Sequence, residues 1–260
     1  MSAPTVVVHS YRGGAGKTAT AVNVALQLAY HGAKVGLLDL DFVNPGLATF
    51  FGSFSSRSTA SLADFLVGQI PIEQTVYTPD IGPVSGALHV VQSRSTLSMA
   101  RRILGHGYDV GLLREALATL QSTLGLDLLV LDTHSGVNNE SLAAMACSDL
   151  LLIVTRPDAF DTAAAREESK LADIYGPRQR LLVVNAAGAT ALPAQRLEYL
   201  QSMHKCPVRV ILPRSDEAAM GSGQSAISQT MPEHPLAVAY RQLAQIVLET
   251  LRPDFDQPWR

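Results

Sequence analysis

The stretch Thr5-Val6-Val7-Val8-His9-Ser10-Tyr11-Arg12-Gly13-Gly14-Ala15-Gly16-Lys17-Thr18 decides how the rest of the chain is read. An apolar, β-branched run of this length fits a strand buried on both faces. It passes without a spacer into a glycine-rich turn, and an amphipathic helix pattern begins at Lys17. Glycines let successive backbone N–H groups point inward, and a helix start adds partial positive charge, so this strand–loop–helix order suits a bound phosphate chain. Lys17 is then placed to reach β- and γ-phosphates, and the Thr18 hydroxyl to ligate Mg²⁺.

Outward from this point, short apolar runs alternate with amphipathic stretches. The strand candidates are Thr5 to His9, Lys34 to Leu38, Ala87 to Gln92, Leu128 to Leu131, Leu150 to Val154, Leu181 to Val184 and Val208 to Leu212. The helix candidates are Lys17 to His31, Leu62 to Leu66, Val110 to Leu120, Glu140 to Met145, Ala163 to Ile174, Ala194 to Met203 and Leu236 to Leu251. Repeated βα units predict an α/β fold: a doubly wound, mostly parallel central sheet with helices on both faces. The spacers are brief, and Ser53 to Ala60 has the length of a loop, so residues 1–260 are expected to form one domain.

Two acidic strand ends complete the picture. One strand closes on Leu37-Leu38-Asp39-Leu40-Asp41, ahead of the turn Asn44-Pro45-Gly46; a later one, Leu128-Leu129-Val130-Leu131-Asp132, is apolar up to its aspartate. Open α/β sheets bind ligands at the carboxyl edge of their strands, which places these carboxylates beside the phosphate loop. Asp132 has the setting of a Mg²⁺-holding acid at the end of such a strand.

The loop departs from the pattern GxxxxGK[ST], which asks for glycine where Tyr11 stands. The arrangement Arg12-Gly13-Gly14-Ala15-Gly16-Lys17-Thr18 resembles the deviant Walker A loop of the ParA/MinD family of P-loop ATPases, written KGGVGKT. The resemblance spans the whole chain in order, through Thr20 to Ala25, Ser148 to Asp158 and His234-Pro235-Leu236. It implies an ATP-dependent switch that dimerises on ATP and Mg²⁺ and hydrolyses slowly. Residues Gly13 through Ala19 (Gly13, Gly14, Ala15, Gly16, Lys17, Thr18 and Ala19) would bind the nucleotide. Arg12 stands where the family's signature lysine reaches into the partner subunit; it keeps the charge but presents a planar fork. Asp41, 24 residues after Lys17, is implied to orient the attacking water. Asp39 either supports the metal site or caps its strand, while Thr18 and Asp132 would hold the metal. Gly136, in Thr133-His134-Ser135-Gly136, is implied to sense the γ-phosphate. His134 is read as a loop-conformational residue rather than a general base. Asn185 is implied to read adenine, and Pro213 and Arg214 to line the base.

The remaining features bound the function. A formal net charge of −3 gives no global pull toward nucleic acid. Scattered Arg178, Arg180, Arg196 and Arg209 leave non-specific DNA open as a partner, alongside a stimulating or cargo-adaptor protein. Arg252 to Arg260 contains two prolines and two aspartates, so no direct membrane anchor is expected. The lack of a signal-peptide pattern points to the cytoplasm. Only two cysteines occur, Cys147 and Cys206, and they do not form the bridging pair that iron–sulfur carriers need. A competing reading is a nucleotide-binding adaptor with little or no hydrolysis.

Overall fold

The computed structural model describes residues 3–52, 60–94, 110–158, 163–188, 191–220 and 225–252. The Ser-rich loop at 53–59 and the closing segment 253–260, both read from sequence, lie outside the described residues. Among the described residues eight strands form one sheet: β1 (Thr5–His9), β2 (Lys34–Asp39), β3 (Val76–Tyr77), β4 (Ala87–Val91), β5 (Leu128–Asp132), β6 (Leu150–Thr155), β7 (Gln179–Ala187) and β8 (Val208–Pro213). Their spatial order is β3-β4-β2-β5-β1-β6-β7-β8. Every pairing is parallel except β3 with β4.

The helices are α1 (Lys17–Tyr30), α2 (Leu47–Phe51), α3 (Leu62–Leu66), α4 (Val110–Leu124), α5 (Asn139–Ala146), α6 (Ala163–Tyr175), α7 (Ala194–His204), α8 (Asp216–Met220), α9 (Ile227–Thr230) and α10 (Pro235–Leu251). They cover both faces of the sheet. Val6, Val8, Leu128, Val130, Leu150 and Leu152 pack on one side with α1 and with Tyr240, Leu243 and Val247 of α10. Val7, Leu129, Leu131, Leu151 and Ile153 face the other side, against Leu113 and Leu120 of α4, Ala143 of α5 and Leu200 of α7. Alternate residues of one strand serve opposite cores, as the period of two requires. Unbroken apolar runs are the sequence form of such two-sided burial.

Helix starts follow local chemistry. Asn138 caps α5, its side chain accepting from the Ser141 N–H while the Ser141 hydroxyl accepts from the Asn138 N–H. That puts the helix start one residue before the position expected at Glu140. At α10 the His234 ring accepts from the Leu236 N–H, and Pro235 occupies the first helical position. Among the described residues no helix is long and apolar enough to cross a membrane.

Parallel pairing in this strand order places the carboxyl ends of β1, β2 and β5 next to one another. The loop after β1 sits over that edge.

Candidate functional site

Helix α1 begins without a cap. Gly16 stands at its N-cap with φ of +88°, no side chain accepts from its first N–H groups, and its first turn holds no acid. Uncapped N–H groups at a helix start carry partial positive charge and need acceptors. Only glycine suits position 16, because a Cβ there would run into the Asn185 amide as well as demand a left-handed backbone. That amide is fixed: Asn185 Nδ2 donates to the Ala15 carbonyl at 2.8 Å, and its Oδ1 accepts from the Ala186 N–H at 2.8 Å. The end of β7 is thus stitched to the loop that follows β1.

Beneath the loop lie two facing carboxylates. Asp39 and Asp132 are register partners on β2 and β5, and both are fully buried. Burial pushes both carboxyls above the usual range, Asp39 well above it with the Asp132 charge adding to the effect. Asp132 is relieved by the Lys17 ammonium, whose Nζ donates to Oδ1 at 3.5 Å, and by the Thr18 hydroxyl. Its Oδ2 is buried without a partner. The Thr18 hydroxyl and this oxygen are hard oxygen donors of the kind a small divalent cation takes, with the Lys17 ammonium holding the other carboxylate oxygen.

Asp39 is satisfied differently. Its Oδ1 accepts from the Asp41 N–H at 2.9 Å, and Oδ2 from the N–H groups of Gly46 and Leu47 at 3.0 and 3.2 Å. One buried carboxylate therefore folds the whole loop between β2 and α2. The loop in turn abuts Thr18: a Cβ on Gly46 would lie 2.7 Å from Thr18 Cγ2.

Asp41 is brought to the same edge. Its Oδ1 accepts from the N–H groups of Val43 and Asn44, at 3.1 and 2.7 Å, and meets His134 Nδ1 at 3.0 Å. Gly136, two residues on from His134, donates its N–H to the Ser10 carbonyl at 2.9 Å. Arg12 is exposed. Its charge reaches Asp158, whose carboxyl is held below the usual range mainly by a hydrogen bond from Arg156.

The residues expected at the base end are more dispersed. Pro213 ends β8 opposite Ala187, and the Arg214 N–H donates to the Ala187 carbonyl at 2.7 Å, while the Arg214 guanidinium pairs with Asp216 at the surface. A cavity of about 110 Å³ lies between α1 and α8 to α10, and of the expected nucleotide residues only Ala19 lines it. Of the four arginines named for nucleic acid, Arg180 pairs with Asp173 at 2.6 Å, and Arg196 donates to the Pro157 carbonyl and lies over the Tyr199 ring. Arg178 and Arg209 are exposed.

A feature that sequence reasoning missed sits behind the loop. Tyr11 lies edge-on to His9, with centroids 5.3 Å apart, and stacks on His204 at 5.4 Å with 11° between the planes. The Thr133 hydroxyl donates to the Val8 carbonyl and so accepts from His9, which fixes the proton on Nδ1. His9 Nε2 and both nitrogens of His204 are buried without partners. Burial, with the Lys17 and His134 charges adding, lowers His9 to about 3; burial alone lowers His204 to about 4. The one sequence signal was a histidine at the end of an apolar strand.

The two cysteines do not make a reactive pair. Burial pushes the Cys206 thiol up to about 12, and Cys147 is also raised by burial. Thiols so shifted are poor nucleophiles.

Residues 3–202 match the family model for ParA, described as the NUBPL iron-transfer P-loop NTPase. The chromosome-partitioning ATPase Soj of Thermus thermophilus is 27% identical over 254 residues, 94% of each chain. The iron–sulfur cluster carrier protein of Escherichia coli is 49% identical over a stretch of 55 residues, 21% of this chain and 15% of that one. Among solved structures, the septum site-determining protein MinD of Pyrococcus horikoshii, complexed with Mg-ADP, superimposes with a TM-score of 0.75 at 21% identity, covering 94% of this chain and 96% of that one.

This geometry has two measurable outcomes. Gly16→Ala should weaken binding of a fluorescent ATP analogue by at least about tenfold, since the loop must strain and displace Asn185, while the melting temperature shifts by only a few degrees; unchanged affinity would count against the loop as the phosphate site. The neutral histidines set a pH dependence. A ring that protonates near 6.5 when unfolded but stays neutral when folded gives stability that is complete above that pH and is lost as pH falls toward 4. Asp39 and Asp132, raised in the folded chain, act in the opposite sense. His204→Phe should therefore match or exceed the parent in urea unfolding at pH 7 and lose stability less steeply between pH 6.5 and 4, by up to about 1.4 kcal/mol per pH unit. Parallel profiles for the two proteins would contradict this account.

Proposed function

The chain belongs to the ParA family of P-loop NTPases, and on that footing we propose that residues 1–260 work as one ATP-dependent, dimerising molecular switch that hydrolyses ATP slowly with Mg²⁺ and positions or partitions a cargo in the cytoplasm. The observation that carries this reading is the buried Lys17–Asp132 pair, with Asp132 Oδ2 left unpartnered, directly beneath an uncapped helix start.

In this reading the N–H groups of Gly13 to Ala19 cradle the phosphates, and the Lys17 ammonium turns from Asp132 toward the β- and γ-oxygens. Thr18 and Asp132 hold Mg²⁺, and Asp39 supports them from behind by fixing the loop that abuts Thr18. When bound, the ion neutralises charge on the β- and γ-phosphate oxygens. Asp41 accepts a hydrogen bond from the attacking water and so aligns it. Arg12, exposed at the loop's outer side, extends its guanidinium to the nucleotide held by a second copy. Asn185, Pro213 and Arg214 border the base. The Gly136 N–H leaves the Ser10 carbonyl for the γ-phosphate, giving the ATP and ADP states different loop positions and therefore different affinity for a stimulating or cargo-adaptor protein, or for non-specific DNA.

Two other readings have specific support. Kinship with iron-transfer proteins suggests a cluster carrier, but the two cysteines, Cys147 and Cys206, form no Cys-x-x-Cys pair, which favours the switch. An adaptor with little hydrolysis is supported by the commitment of Asp41 Oδ1 and the Gly136 N–H to bonds within the protein.

Size-exclusion chromatography with light scattering, using a non-hydrolysable ATP analogue plus Mg²⁺ and, separately, ADP, should give a dimer only with the analogue and none for Lys17→Ala. Phosphate release should fall about 10²-fold in Asp41→Ala. A wild type that stays monomeric with both nucleotides, or a turnover that Asp41→Ala leaves intact, would transfer the assignment to the adaptor.

A further inference from the structure

Asp41 is held by more than its own turn. Of the three donors on its Oδ1, two are backbone N–H groups of the loop after β2, and the third is the His134 ring, from the loop after β5. The carboxylate's other oxygen takes none of these bonds. His134 itself sits in a segment pinned on both sides. Before it, the Thr133 hydroxyl donates to the Val8 carbonyl; after it, Gly136 donates to Ser10, and its carbonyl accepts from the Ser141 hydroxyl at 3.2 Å. The ring spans from the segment that follows Asp132 to the loop that Asp39 folds. It adds a side-chain tie between two loops whose strand ends are already joined by the Leu40 N–H donating to the Asp132 carbonyl at 2.8 Å.

We propose that His134 is a positioning residue for hydrolysis: by donating Nδ1–H to Asp41 Oδ1 it fixes the carboxylate's rotation, turns Oδ2 toward the water site, and makes that orientation depend on where Gly136 is. The inference rests on the hydrolytic role assigned to Asp41 above. It requires only a proton on Nδ1 and no charge on the ring. An unaided aspartate side chain rotates about χ2 with little barrier, and two backbone N–H donors on one oxygen restrain it from one side only. A third donor from a different element restrains it from the other. Because the ring travels with the Gly136 segment, displacement of Gly136 from Ser10 shifts the donor as well. The water-aligning oxygen is then presented in one loop state and withdrawn in the other.

The test is a double-mutant cycle on steady-state turnover, with equilibrium affinities for ADP and for a fluorescent ATP analogue measured in parallel. His134→Ala should lower kcat about tenfold and leave KM and both affinities within about twofold, the split expected when only an orientation is lost. His134→Asn, which restores a neutral N–H donor, should recover part of the rate. In the Asp41→Asn background His134→Ala should change nothing further, since its effect passes through that carboxylate. A rate equal to wild type in His134→Ala, a multiplicative loss in the double variant, or affinities that fall in step with kcat would each overturn the proposal. A wild type that binds nucleotide but never turns over overturns the hydrolytic reading and this inference together; normal turnover with an inert His134 overturns this inference alone.

Discussion

Two carboxylates facing each other in a dry interior, Asp39 and Asp132, form the constraint around which this molecule is arranged. Parallel pairing of β2 and β5 puts them in register with no access to water, and neither can carry charge there unaided. The chain answers in two ways. For Asp132 it supplies Lys17 and Thr18, which ties the first turn of α1 to the end of β5. For Asp39 it supplies three backbone N–H groups, which forces the chain after β2 to curl and return along α2. The glycine loop, the metal-suited corner and the loop carrying Asp41 are thus three results of one electrostatic requirement.

The same requirement explains why so much was legible in the sequence. Strands whose residues serve two cores must be apolar throughout, so β1, β5 and β6 stood out as unbroken runs, and the aspartates that end β2 and β5 marked one edge of the sheet. The glycine loop was equally plain, because the turn it makes excludes side chains. What escaped were elements created by tertiary contact. Helix α2 exists because Asp39 caps it from seven and eight residues upstream, and two-residue β3 exists because β4 offers an edge; neither has a period to detect. The shared position of Asp41 and His134 was also hidden, since 93 residues separate them and nothing local to His134 announces a partner. Boundaries drifted by one to four residues where caps, as at Asn138, lay just outside the periodic stretch.

Kinship and local chemistry address different levels of the question. Relatives of this fold include a chromosome-partitioning ATPase and an iron–sulfur carrier, so the scaffold alone names no task. Side chains discriminate better. Two cysteines that form no Cys-x-x-Cys pair weigh against cluster chemistry, whereas an unpartnered buried oxygen beside a lysine and a threonine weighs toward a cation and a phosphate chain. Arginines already engaged by Asp173, Pro157 and Tyr199 leave less positive surface than a count of residues suggests.

The ring stack of His9, Tyr11 and His204 packs a piece of the glycine loop against the hydrophobic core, on the side lined by α7. A small residue at position 11 would open a ring-sized gap between two imidazoles, one of which has no hydrogen-bond partner and the other only one. Positions 9, 11 and 204 therefore pack as one unit although they lie far apart in the chain: lineages that keep glycine in the loop's first position are expected to carry different residues at the other two.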